Sequence, residues 1–443
     1  MSGSRTTGPT LTSAAAAGAG VLLLVMMACK CPHWEPPPID EQADKQHDLG
    51  SPIAMPASEG PGTHAALPSR HSMPAAAEVA PLPTVACPEL VDADRALDAA
   101  GRAYDAGDFA RAFACADTAA DLIPQAVEAH HTRAAALAAL GLHERAQVGF
   151  AMALALDPDD PQTLAAAADF YINLLPPKSR DHVLVGLEYA RRGSVRAASR
   201  RNQDRALQAR LFLLEAEAYN DIGRADLALP RVEEALVLES ELVEARHERG
   251  VSLFNLCRFR EAEAAFIAVL RTAPSDAYAH QHLALIYERM GRGTDAAKHF
   301  LRARKLAPTE FWSPIKITVE EFRAEVTRAI ESQPEDIRRL LYQVSLEIVD
   351  LPALEDLTGV TPPLAPTILG LFRGLPLGTG DDAVGTSPSD DIPPRAIVLY
   401  QSNLARAVRT RDELNRQIRR TLIHEIGHLQ GLDEDQLRRG GLE

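Results

Sequence analysis

Two histidines set four residues apart near the C-terminal end, His424 and His428, stand one turn above the other on one face of a helix, where two imidazoles can grip a single metal ion. Glu425 follows His424 directly and is turned by about 100° around the helix axis. That rotation puts its carboxylate beside such an ion rather than on it, where a general base for an attacking water would stand. A catalytic zinc also needs a third protein ligand and an open position. Gly431 lets the chain leave the helix and turn an acid back toward the histidines. Of Asp433, Glu434 and Asp435, the first choice is Glu434, ten residues after His424.

A helix must hold this pair in place, and the sequence supplies one. From Arg411 onward, Leu414, Ile418, Leu422 and the pair Ile426/Leu429 recur at helical spacing, the stripe that a buried active-site helix needs. Upstream, Phe322, Val326 and Ile330 mark a helix over Glu320–Ser332, while Gln343–Val349 and Ala396–Tyr400 read as strands. Tyr400 ends its strand near the motif helix in sequence. It is read as half-buried packing, with hydrogen bonding to a developing oxyanion as the alternative. Arg406, Arg409, Arg411, Arg416, Arg419 and Arg420 read as a solvated helix face, with steering of acidic substrates as the alternative.

The chain has 443 residues, enough for two or three domains, and its 46% hydrophobic content is that of folded material. Its 46 basic against 61 acidic residues give a net charge of −15, which disfavours nucleic acid as a partner. Aromatic residues make up only 5%, and the abundance of Ala, Leu, Arg and Glu predicts a mainly α protein. The five cysteines lack a C-x-x-C pattern, and Cys115 and Cys257, inside helical segments, read as small buried apolar residues.

Residues 1–28 read as a signal peptide, since the uncharged run Ala14–Ala28 is short for a membrane span. The run ends in Met26-Met27-Ala28-Cys29, which resembles a bacterial lipobox with Met26 where leucine is usual. That implies a lipidated Cys29, membrane attachment and a place in the cell envelope on the periplasmic side. Lys30 to Pro88 holds 12 prolines without apolar periodicity, so residues 29–92 are read as a disordered tether.

Residues 93–310 repeat. Pro124 and Pro158 lie 34 apart, and with them Ala100 superposes on Ala134, Gly107 on Gly141 and Ala112 on Ala146. Downstream, Ala216, Gly250 and Ala284 align, as do Tyr219, Leu253 and Tyr287, and Val232, Phe266 and Phe300. This pattern resembles the tetratricopeptide family, a binding scaffold without chemistry of its own. About six units are expected, one of them irregular because Leu175-Pro176-Pro177-Lys178 lengthens a turn. A protein partner or peptide on the repeats follows from that resemblance.

Residues 320–443 resemble the small bacterial zincin-like metallopeptidases. The resemblance rests on the Phe322 helix, Leu369-Gly370-Leu371-Phe372, Gly374-Leu375-Pro376-Leu377, Ile397-Val398-Leu399-Tyr400, Arg411-Asp412-Glu413-Leu414 and the stretch from Thr421 to Leu432. Leu429-Gln430 departs from the aromatic pair common in that family. The resemblance implies a small α+β domain behind the α-solenoid, with Zn2+ on His424, His428 and an acid, Glu425 as catalytic residue, and peptides or proteins as substrates. The rival expectation is a tetratricopeptide adaptor lipoprotein whose zinc is structural or idle.

Overall fold

The computed structural model describes residues 82–87, 92–199, 204–378 and 394–441. The expected signal peptide, Cys29 and nearly all of the tether lie outside the described residues. Everything described from Val85 onward falls in one compact unit. None of the described helices is long and apolar enough to cross a membrane.

The 34-residue period becomes a stack of helical hairpins. The described residues form six: α1 (Ala93–Asp105) with α2 (Phe109–Leu122), α3 (Val127–Ala139) with α4 (His143–Leu156), α5 (Pro161–Asp169) with α6 (Arg180–Ser199), α7 (Arg205–Asp221) with α8 (Ala225–Leu238), α9 (Val243–Asn255) with α10 (Phe259–Thr272), and α11 (Ala277–Arg289) with α12 (Gly293–Leu306). Asp92, Asp160, Asp204 and Asp276 start α1, α5, α7 and α11, each accepting a backbone N–H of the first turn. Small residues let paired helices approach closely: Ala100, Ala112, Ala134, Ala146, Ala216 and Ala228 are all buried. Phe150, Phe266 and Tyr287 fill between hairpins. The result is a tetratricopeptide-like α-solenoid.

The irregular unit has a local cause. The helix that begins as α5 widens into a π-helical turn at Phe170–Leu174, and the two prolines then stop it. The loop that follows brings Lys178 onto Asp221 of α7, an ion pair whose acid is fully buried.

Cys115 departs from the expectation. It is buried, but it is bonded to Cys87, so a disulfide fastens the segment before α1 to the first hairpin. Cysteine composition could not reveal this because the pairing depends on where the preceding segment folds back.

After the solenoid come α13 (Val319–Glu331), α14 (Glu335–Leu341), β1 (Ser345–Val349), α15 (Leu354–Thr358), β2 (Gly370–Arg373), β3 (Ala396–Tyr400), α16 (Gln401–Ala407), α17 (Arg411–Leu429) and α18 (Glu434–Arg439). The sheet order is β1-β3-β2. β3 runs parallel to β1 and antiparallel to β2, with Gly370 opposite Leu399 and Arg373 opposite Ala396. All five residues of β3 are buried, as a central strand covered on both faces requires. The stripe Leu414, Ile418, Leu422, Ile426 and Leu429 on α17 packs into the same core as Phe322, Ile397 and Leu399. This is the small α+β domain behind the solenoid.

Candidate metal centre

α17 carries the histidines and starts from a capping box in which Thr410 and Glu413 satisfy each other's backbone N–H. Its buried stripe fixes the rotation of the helix, so His424 and His428 share one half-exposed face with ring centroids 4.9 Å apart. Gly431 then adopts φ +85°, the left-handed conformation expected of it, and the chain reverses into α18. Gly427 makes that reversal compact, because a Cβ there would lie 2.1 Å from Cδ2 of the fully buried Leu437 of α18.

This packing delivers Glu434. Its Oε1 lies 3.2 Å from Nε2 of His428 and 3.7 Å from Nε2 of His424. Ligand atoms of His424, His428 and Glu434 all fall within 4.8 Å of one another. The neighbouring acids are occupied elsewhere: Asp433 caps α18 and Asp435 pairs with Arg438. His428 Nδ1 lies 3.0 Å from the carbonyl of Leu432, so that nitrogen donates to the carbonyl and Nε2 is the one that faces the centre, free to give up its proton to a bound ion. Hydrogen bonds from His424 and His428 hold the Glu434 carboxyl far below the usual range, and the bond to Glu434 raises His428. Two imidazole nitrogens and one ionised oxygen, converging at the protein surface, form a donor set that fits zinc.

Glu425 lies deeper, only 5% exposed. Burial pushes its pKa up to about 7, against the lowering effect of His424, His428 and the backbone N–H of Phe372 on β2. Gly370 permits that approach. A Cβ there would sit 2.6 Å from Cγ2 of Thr421 and 2.9 Å from Oε1 of Glu425. β2 therefore runs hard against the face of α17 that carries Thr421 and Glu425. A strand within Leu369-Gly370-Leu371-Phe372 was not expected from the sequence; the bare glycine between apolar residues was the available signal.

Tyr400 is fully buried, and its hydroxyl bonds Asp356, which also takes the Arg373 guanidinium. It is packing with a satisfied hydroxyl. The arginines are not one solvated face either. Arg406 pairs with Glu288 of α11, Arg409 stacks on Trp312 at 4.2 Å and Arg411 pairs with Glu321.

Residues 341–442 match the family model described as zincin-like metallopeptidase. No curated protein matches the chain. Among solved structures, the chain is similar to YrrB, described as a TPR protein with an unusual peptide-binding site, at 20% identity over 44% of this chain and 92% of that one, with a TM-score of 0.34. It is also similar to pilF of Pseudomonas aeruginosa, at 15% identity over 53% of this chain and 97% of that one, with a TM-score of 0.42. A third is a thermophilic TPR protein of Thermus thermophilus, at 20% identity over 44% of this chain and 98% of that one, with a TM-score of 0.36.

Proposed function

We propose that this chain is a zinc-dependent peptidase that hydrolyses peptide bonds, with a tetratricopeptide scaffold that recruits its substrate or a partner at the cell envelope. The observation that carries the reading is the convergence of His424, His428 and Glu434 beside a buried Glu425 that is not itself one of the converging ligands. His424 and His428 through Nε2, and Glu434 through a carboxylate oxygen, are the groups that would hold the ion. Zinc in such a site acts as a Lewis acid toward water and toward a peptide carbonyl.

The chain's own residues do the rest. The Glu425 carboxylate takes a proton from the attacking water, and the same oxygen hands it to the leaving amine as the C–N bond breaks. The Phe372 N–H bonds that carboxylate and favours its ionised form, the form that can take a proton. The Leu432 carbonyl fixes the tautomer of His428. A peptide or protein substrate suits both halves, because helical repeats offer an extended binding face and the site lies half-exposed at the surface.

Support for the envelope comes from the apolar run that ends at Cys29 and from the Cys87–Cys115 disulfide, a bond favoured in oxidising compartments. The test is a peptide-library digest by the zinc-loaded full-length ectodomain and its Glu425→Gln variant. Equal zinc content with cleavage lower by about a hundredfold or more is expected. A wild-type protein that holds zinc and cleaves nothing would instead favour the adaptor reading.

A further inference from the structure

Among the contacts that join the last repeats to the candidate peptidase domain, three fall on one loop. The chain from Asp350 to Leu369 links β1 to β2. Two residues of the solenoid hold it. Arg289, the last residue of α11, donates from Nη1 to the carbonyl of Pro352 at 3.1 Å and from Nη2 to the carbonyl of Pro366. One repeat earlier, Cys257 directs its thiol at the carbonyl of Leu364, 3.8 Å away.

Cys257 sits in a conformation that its type disfavours. It has φ +59° in the turn between α9 and α10, where the corresponding turns of four other repeats place Gly107, Gly141, Gly223 and Gly291 at +71° to +77°. A side chain there strains the backbone. Burial raises its pKa to about 11, so it is not a reactive thiolate at neutral pH. What the side chain gains over glycine is the contact with Leu364.

The held loop leads straight to the catalytic strand. The Pro366 and Ile368 carbonyls also accept from Nδ2 of Asn403, at 3.1 and 2.7 Å, and the Leu369 carbonyl accepts from the backbone N–H of Tyr400 at 3.0 Å. Gly370 follows, pressed against Thr421 and Glu425, and Phe372 N–H then reaches the Glu425 carboxylate. Resting on the peptidase reading above, we propose that Arg289 and Cys257 are positioning residues for Glu425: the solenoid, through the 350–369 loop, sets where β2 stands against the catalytic helix.

Three variants of the zinc-loaded full-length ectodomain test this. Arg289→Met removes both donors, Arg289→Lys keeps the charge and donors but loses the planar fork that reaches two carbonyls from separate nitrogens, and Cys257→Gly restores the residue the turn prefers. With zinc stoichiometry unchanged, kcat is expected to fall about tenfold to a hundredfold in Arg289→Met and less in Arg289→Lys. KM stays within about twofold. Amide hydrogen exchange over residues 364–373 should quicken in parallel. Cys257→Gly should also lower kcat while its Tm is unchanged or higher, a combination that loss of fold cannot produce. Unchanged exchange, or quickened exchange with kcat equal to wild type, overturns the inference while leaving the peptidase reading intact. Absence of cleavage by the wild type removes that reading and this one with it.

Discussion

At the scale of single residues, the candidate centre depends on three glycines, Gly370, Gly427 and Gly431, as much as on its donor residues. Replacing His424 or His428 with Ala removes one of three converging donors, and zinc measured by metal analysis should drop from about one per chain to well below stoichiometric. Among the acids, Glu434→Ala should weaken zinc most, because Asp433 is spent on capping α18 and Asp435 on Arg438. A larger loss at either neighbour would move the ligand. Gly427→Ala offers a sharper check, since the added Cβ meets Leu437 and Leu432 rather than a ligand side chain. Its Cβ would meet Cδ2 of the fully buried Leu437, so that side chain must repack, and α18, which carries both Leu437 and Glu434, is expected to shift with it. Zinc affinity should fall about tenfold, the usual cost of disturbing a ligand's support, with the helix content of the protein unchanged. These roles differ in how far they could be read from sequence. The i, i+4 histidines and the Gly431 turn are local in the chain and were legible. The contacts of Gly370 with Glu425 and of Gly427 with Leu437 depend on elements packing together, which spacing alone does not encode.

Among the elements, the repeats were legible because one period recurs, whereas their exceptions are set by contacts between units. Cys257, expected as a small buried residue inside a helical segment, instead lies half-buried in the turn between α9 and α10, 34 residues after Gly223 and 34 before Gly291, where the period puts a glycine. The partner that explains it, Leu364, is 107 residues away. A second contact between units ties α9 to α11: Nδ1 of His247 lies 2.9 Å from Asp276, the N-cap of α11. Burial alone would raise Asp276, yet the hydrogen bonds from His247 and from the N–H groups of Ala279 and Tyr278 outweigh it and bring its pKa down to about 2. Burial would likewise lower His247, but Asp276 wins and raises it. Because the histidine is raised on folding, its contribution to stability is full below pH 6.5, its ordinary value, and is lost as pH rises through the folded value. His247→Gln should therefore be less stable than wild type near pH 6, and the gap in Tm should narrow steadily toward pH 9. A gap that widens with pH would mean that the buried imidazole, not the ion pair, dominates.

For the whole molecule, the decisive feature is that the small C-terminal domain closes the end of the solenoid. A helical stack has only nearest-neighbour contacts, so its last hairpin needs a cap, and stability passes along it from unit to unit. Here Arg406 of α16 pairs with Glu288 of α11, Arg409 donates to the carbonyl of Thr309 just beyond α12, and Trp312 donates to the carbonyl of Val408. Arg289 adds the two carbonyls of the 350–369 loop. Zinc that binds only the folded domain stabilises it by about 4 kcal/mol at a thousandfold excess over Kd. Part of that gain must reach α11 and α12, because their opening would strip the cap contacts from the domain that holds the ion. Zinc loading should thus slow amide exchange in α11 and α12 and leave α1 and α2 unchanged. Reducing the Cys87–Cys115 bond should do the opposite, quickening exchange in α1 and α2 without altering zinc content, since the bond closes a loop at the far end of the stack. Glu288→Ala and Arg406→Ala each leave one half-buried charge without its partner, so the comparison that isolates coupling is the double variant Glu288→Ala/Arg406→Ala. It should keep zinc and lose most of the protection that zinc confers on α11. Protection that survives in the double variant would show that the cap acts through the remaining Arg289, Arg409 and Trp312 contacts.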